Sequence, residues 1–237
     1  MRAPGRRGAE VLCIDNFLTG HRTNLEPLAR EPRFHLVERD VVDPLPTRVA
    51  TMRFARIYNL ACAASPPLYQ SDPEHTLMTS VVGTNHLLHL AEDCGARFVM
   101  ASTSEVYGDP HNHPQTETDW GNVNCTGPRA CYDEGKRAAE SLCFDFVRKG
   151  RANVRVARIF NTYGPRLAAS DGRVVATVVS QAISGADITI FGDGSHTRAF
   201  CYVDDLTEAL VRLGEHREPQ PGPIPPRIRS ASWSKWF

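Results

Sequence analysis

Tyr132 and Lys136 stand four residues apart. On a helix, residues at that spacing lie one above the other, so a phenol and an ammonium can address the same small pocket. A cation held there favours the phenolate and draws the tyrosine pKa down from about 10 towards working pH, as a general base requires. The spacing by itself is commonplace on solvated helices. Its company is less so: Ser102, Thr103, Ser104 and Glu105 lie upstream, at the end of a segment that reads as a strand.

The elements that would position these groups alternate. Apolar runs at 11–14, 34–37, 57–61, 97–101 and 154–159 read as buried strands. A long helix follows Asp72, with Asp72 as cap, Pro73 in the first turn, Gly95 as the stop, and Leu77, Val81, Leu87, Leu88 and Ala91 on its apolar side. A second begins at Pro128 or Arg129, carries Tyr132 and Lys136, and ends at Gly150. This alternation implies an α/β fold, a doubly wound parallel sheet with ligands at the carboxyl ends of its strands. Asp15 ends the first run, where an acidic residue is either a turn former or an acceptor for a nucleotide ribose. Pro66-Pro67 reads as fixing an extended loop. Beyond Asn161 the pattern loosens: 171–184 reads as helix, 188–191 as a short strand, Gly192-Asp193-Gly194 as a turn, and a last helix runs to about Arg212.

Composition narrows the class. With 237 residues the chain can bury a substantial core, and its 41% hydrophobic and 23% charged content are ordinary for a globular protein. Lys+Arg and Asp+Glu both number 27, so no net charge draws it to nucleic acid or to an anionic membrane. No apolar run approaches the roughly 18 residues of a membrane span. Seven scattered cysteines, without a C-x-x-C pair, fit a reduced, cytoplasmic compartment better than a disulfide framework. His111, His113, His86 and His89 lack the Cys, Asp or Glu partners of a metal site, and no metal is expected.

Four stretches, S-T-S-E-V-Y-G-D-P from Ser102, W-G-N-V-N from Trp120, G-P-R-A-C-Y-D-E-G-K-R-A-A-E from Gly127 and A-R-I-F-N-T-Y-G-P-R from Ala157, together resemble the extended short-chain dehydrogenase/reductase family. Within it they are most similar to the UDP-glucuronate decarboxylases. The likeness runs from about Val11 to Leu213. It implies NAD as cofactor, a UDP-sugar substrate and a homodimer built on the Asp72 and Tyr132 helices. NAD is preferred to NADP because no basic residue follows Asp15. The resemblance places Asp15, Asn16, Asp40, Val41, Leu60, Ala61, Ser102, Tyr132 and Lys136 at the cofactor. It places Pro67, Tyr69, Glu105, Asn161, Arg166, Arg173 and Arg198 at the substrate, guanidinium forks being suited to phosphate and carboxylate. Ala63 stands where the family pattern has proline.

The chemistry so implied begins with Tyr132 taking the C4 hydroxyl proton as hydride leaves C4 for NAD. The 4-keto sugar is then a β-keto acid, which loses CO2 because the carbanion is delocalised into the ketone. Thr103, with Ser102, would hold the C4 oxygen, Lys136 would hold the tyrosine pKa down and Glu105 would hold the ring. Similar 4,6-dehydratases carry Asp-Glu where this chain has Ser104-Glu105, and a 4-epimerase needs no Glu105. Both remain alternatives, as does a non-catalytic fragment unable to bind NAD.

The chain departs from the family at both ends, and the first departure favours that last alternative. The family's G-x-x-G-x-x-G cradle, where backbone N–H groups and a helix N-terminus meet the pyrophosphate, is absent: MRAPGRRGAE precedes Val11. The strand that should carry the cradle is the central one of a 3-2-1-4-5-6 sheet, so its neighbours would lack a ladder partner. After Gly214 the likeness also stops. The chain therefore reads as truncated at both ends or as a mis-read coding sequence. Its expected parts are an incomplete NAD-binding domain over 1–165, a partial substrate lobe over 166–213 interleaved with it, and an irregular or disordered tail over 214–237.

Overall fold

The structure is a computed structural model that describes residues 8–190, 192–193 and 197–216. Five strands, β1 (Val11–Asp15), β2 (Phe34–Glu38), β3 (Arg56–Asn59), β4 (Arg97–Thr103) and β5 (Asn153–Ile159), run parallel in two sheets, β1 with β2 and β3-β4-β5. Parallel neighbours need crossovers. These carry helices α1 (Thr47–Ala50), α2 (Pro66–Ser71), α3 (Pro73–Met78), α4 (Thr84–Cys94) and α5 (Ala130–Arg148).

The division falls between β1 and β3, where the central strand of a 3-2-1-4-5-6 order would lie. Burial follows it. In β4, paired on both edges, five of seven residues are buried, whereas in β1 none is. The main core lies between β3-β4-β5 and the helices α4 and α5, where Leu87, Leu88, Phe98, Met100, Ala139, Cys143, Phe146 and Val154 pack together. On the opposite face α7 (Val203–Glu215) lays Leu210 and Leu213 against Val99 and Ala157. Helices thus cover both faces, as buried parallel strands require.

The long helix after Asp72 forms with the expected ends: the Asp72 carboxylate accepts the His75 N–H, Pro73 takes the first turn, and Gly95 closes it at φ +67°. Its middle turn, Thr79–Gly83, widens to π geometry between α3 and α4. There Gly83 lies so close to Val41 that a Cβ would meet Val41 Cγ2 at 2.6 Å. The helix is thereby seated against the chain leaving β2.

Three readings are corrected. Pro66-Pro67 is not an extended loop but the opening of α2, because the ring-fixed φ that stiffens a loop equally suits a first helical turn. Residues 188–190 form no strand; Ile188 and Ile190 are exposed, and Phe191 lies outside the described residues. The small C-terminal sheet instead pairs β6 (Asn161–Tyr163) with β7 (Phe200–Tyr202), parallel. The helix expected from Asp171 is α6 (Val174–Ser184), starting after Arg173 folds back onto the Asp171 carboxylate. Gly192 and Asp193 form a turn, while Gly194, residues 1–7 and the proline-rich tail over 217–237 lie outside the described residues. All seven cysteines are free thiols. Among the described residues, no helix is long and apolar enough to cross a membrane.

Candidate active site

Tyr132, Lys136 and Glu140 form one buried stripe on α5, each four residues from the next and turned to the carboxyl end of β4. The Tyr132 phenol hydrogen-bonds the Thr103 side chain at the end of that strand. Lys136 Nζ donates to the carbonyls of Ala61 at 3.3 Å and Ala101 at 3.0 Å, spanning the ends of β3 and β4. Burial lowers the lysine pKa. The expectation that Lys136 holds the tyrosine pKa down is not met in this geometry. Burial pushes the phenol well above its ordinary value, while the Thr103 hydrogen bond and the Arg173 charge oppose the rise without cancelling it. The lysine's charge is spent on two carbonyls, and the Tyr69 ring stacks over Tyr132.

Glu140 anchors the stripe. Its carboxylate accepts the Ser102 hydroxyl at 2.5 Å and both Arg158 Nε (3.0 Å) and Nη2 (2.8 Å). Ser102, expected at the cofactor or the C4 oxygen, thus has its hydroxyl engaged with Glu140. The Arg158 guanidinium carbon also sits 4.9 Å from the centre of the Tyr107 ring.

Glu105 lies in the 3-10 turn Ser104–Tyr107, whose start is capped by Thr103 Oγ1 accepting the Glu105 N–H at 3.2 Å. Its carboxylate pairs with Arg129, and Arg129 Nε lies 3.9 Å from Asp133. Burial lifts the Asp133 carboxyl to about 6, Glu105 and Glu134 adding to the rise and Arg129 opposing it. Pro67, exposed, borders the same mouth and touches Gly172.

At the other end of the carboxyl edge, Asp15 accepts the Phe17 N–H at 2.8 Å, and Asn16 Nδ2 donates to Asp40 at 2.6 Å. Asp40 also takes the Val42 N–H at 2.9 Å and meets His75 Nε2 at 2.7 Å; the Val41 carbonyl accepts from His86 at 3.1 Å. Leu60 is exposed beyond β3. Carboxylates at one end and the Tyr132–Lys136 stripe at the other fit the two riboses of a dinucleotide. Before β1 the sequence carries Gly5 and Gly8.

The substrate candidates divide. Tyr69, Glu105 and Arg173 gather around Tyr132, with Arg173 held by Asp171 at 2.5 and 2.9 Å. Asn161 donates to the Ala199 carbonyl at 3.2 Å and lines a small cavity with Arg173 and Phe200. Arg166 instead reaches the Asn24 carbonyl at 3.3 Å, and exposed Arg198 contacts the carbonyl of its neighbour Thr197 at 2.9 Å. Residues not singled out from sequence are Arg129, Asp133, Glu140 and His75. Extending the Tyr132–Lys136 stripe by four residues would have found Glu140, whereas Arg129 and Asp133 form a separate four-residue pair beside it.

Residues 2–224 match the NAD dependent epimerase/dehydratase family. The chain is 53% identical over 210 residues to UDP-glucuronic acid decarboxylase 1 of Arabidopsis thaliana, covering 89% of this chain and 47% of that protein. It is 51% identical over 206 residues to the Xenopus tropicalis protein of the same name, covering 87% and 48%. It therefore spans about half the length of these curated relatives. Among solved structures, UDP-glucose 4-epimerase from Thermotoga maritima superposes with a TM-score of 0.78 at 25% identity, over 90% of this chain and 67% of that one. A dTDP-glucose 4,6-dehydratase from Streptomyces venezuelae, solved with NAD bound, gives 0.75 at 26%, over 91% and 64%. On the matched sequence, the shared fold and the strand-end site, the chain belongs to the NAD dependent epimerase/dehydratase family.

Proposed function

We propose that this site serves the NAD-dependent decarboxylation of UDP-glucuronate to UDP-xylose through a 4-keto sugar. The observation that carries the reading is the hydrogen-bonded Tyr132–Thr103 pair with Glu105 in the next turn and Ser104, not an acid, before it. A dehydratase needs an acid for the departing hydroxyl; a decarboxylase does not. The names of the relatives at 51–53% identity support the same choice.

NAD, when bound, supplies a reversible hydride acceptor; Asp15 and Asp40 would hold its adenosine end and Lys136 its other ribose. Tyr132 takes the C4 hydroxyl proton, and Thr103 holds that oxygen. The ketone at C4 then stabilises the electron pair left at C5 as CO2 departs, C5 takes up a proton, and return of the hydride to C4 with the proton held by Tyr132 gives UDP-xylose. Glu105 holds the ring, and Arg173 and Asn161 face the nucleotide-sugar, with Arg166 and Arg198 reaching it only after leaving their present carbonyl partners. The dimer would use α3–α4 and α5, where Met78 is exposed. Seven scattered cysteines without a C-x-x-C pair support a cytoplasmic location.

A second reading is a non-catalytic fragment unable to bind NAD. Calorimetry of NAD+ against the 237-residue chain, paired with a thermal melt and mass-spectrometric detection of UDP-xylose from UDP-glucuronate, separates them. Saturable binding and UDP-xylose support decarboxylation. A cooperative melt without NAD+ binding supports the non-catalytic reading, and turnover to a 4-epimer or a 4-keto-6-deoxy sugar overturns both.

A further inference from the structure

We infer that Cys62 and Cys131 form a reactive dithiol beside the tyrosine pocket, a modification site that peroxide closes to a disulfide. Cys62 follows β3, and Cys131 stands in the first turn of α5. Both are half-buried free thiols, and both pack against the same three residues, Ala63, Tyr69 and Tyr132. Cys131 Sγ donates to the Tyr69 carbonyl at 3.7 Å. That carbonyl also accepts the Thr76 hydroxyl at 3.1 Å, and the Thr76 carbonyl accepts the Cys62 thiol at 3.8 Å. The two sulfurs are thus brought to one small patch of backbone by elements distant in sequence.

Cys62 is placed to react first. Its backbone sits at φ +133°, a region that favours glycine, so the surrounding fold holds this side chain in place against strain. The Ser80 hydroxyl donates to its sulfur at 3.4 Å. Lys136 Nζ donates to the carbonyl of the preceding residue, Ala61, at 3.3 Å. A hydroxyl donor and a cationic group beside a partly exposed sulfur are the surroundings of a nucleophilic cysteine. Burial raises the pKa of the Cys131 thiol, and the charge of Cys62 adds to the rise, so Cys131 waits as the resolving thiol. The Cys62 sulfur attacks one peroxide oxygen, forming an S–O bond as the O–O bond breaks and water leaves. The Cys131 sulfur then attacks the Cys62 sulfur, forming the S–S bond as a second water leaves. Both thiol protons depart in the waters, and the sulfurs lose the two electrons that the peroxide gains. The bond would tie the chain leaving β3 to the first turn of α5, next to Tyr132. The inference is independent of the catalytic reading.

The test is hydrogen peroxide treatment of the 237-residue chain, alkylation of the remaining thiols and mass spectrometry of its proteolytic peptides. The expected product is a linked pair of peptides carrying Cys62 and Cys131, lighter by two hydrogens than their sum and lost on reduction. Phenylarsine oxide, which bridges two neighbouring thiols, should protect both from alkylation while exposed Cys125 still reacts. In Cys131→Ser the oxidation should stop at a Cys62 sulfenic acid that dimedone traps, and in Cys62→Ser the link should vanish with Cys131 left as a thiol. Cys62 oxidised without a link in the parent overturns the proposal, as does a link through other cysteines or alkylation of both thiols under phenylarsine oxide. So does an equal yield of the link in guanidinium, where the fold no longer brings the sulfurs together.

Discussion

The rings of Tyr69 and Tyr132 lie parallel, 5° between planes and 5.0 Å between centroids. The stack joins α2 to α5 and shuts the phenol of Tyr132 away from water, which is why burial raises the pKa of both tyrosines. The base is therefore insulated in the free chain. An absorbance titration through the ordinary tyrosine range, pH about 9 to 11, should show the same phenolate amplitude in Tyr132→Phe as in the parent, because Tyr132 does not ionise there. Tyr69→Leu removes one wall and should move Tyr132 into that range, so that adding Tyr132→Phe to this variant lowers the amplitude by one phenolate. An amplitude already lower in Tyr132→Phe would contradict the insulation.

Asp133 gives a pH signature of the opposite kind to an ordinary carboxylate. Its folded pKa, about 6, lies above the unfolded value of about 3.9, so its contribution is fully present below pH 4 and is lost as pH rises through 6. Asp133→Asn carries no such loss. Denaturant melts should show the variant gaining on the parent between about pH 4 and 8, to at most about 3 kcal/mol. A constant difference across that range would sink the account.

Most of this architecture was legible because its signals are local. Asp72, Pro73 and Gly95 announce a helix whatever surrounds them, and continuous apolar runs announce buried parallel strands. The split of the sheet followed from one absent motif. What escaped notice depends on partners far away in sequence. Pro66-Pro67 suits both a loop and a first turn, and only the packing of Tyr69 on Tyr132 selects the helix. Ile188 and Ile190 have strand-forming side chains but no paired edge among the described residues, whereas Asn161–Tyr163 and Phe200–Tyr202 are paired across 36 intervening residues. Within the site, the Tyr132–Lys136 stripe was readable from its spacing. The diversion of Ser102 to Glu140 was not, since it needs Arg158 on another strand to hold that carboxylate.

That diversion carries its own prediction. Glu140 and Arg158 form a buried pair whose side chains are 8% and 16% exposed. Removing one partner strands the other's charge, at a cost of about 3–5 kcal/mol, while replacing both by apolar groups of like volume should cost much less. Glu140→Leu alone should therefore destabilise more than Glu140→Leu with Arg158→Met. A double change no less harmful than the sum of the singles would show that the pair is not coupled.

His75 and Asp40 connect the two halves of the sheet, one from α3 and the other from the end of β2. Burial works to raise the Asp40 pKa, but the Val42 N–H, the His75 ring and the Asn16 amide outweigh it and hold the carboxyl below its ordinary value. The stability this confers is present above the unfolded pKa of about 3.9 and is lost as pH falls through the depressed folded value. His75→Ala removes one bridge between the two halves, at a cost of about 1–2 kcal/mol. The loss should be local: exchange should quicken in Val11–Asp15 and Phe34–Glu38, while Arg97–Thr103, inside the main core, keeps its protection. The difference between variant and parent should shrink once pH falls well below 4, where Asp40 is protonated in both. Uniform loss of protection in all three strands would mean that β1 and β2 unfold only with the rest, and that the halves do not depend on this contact.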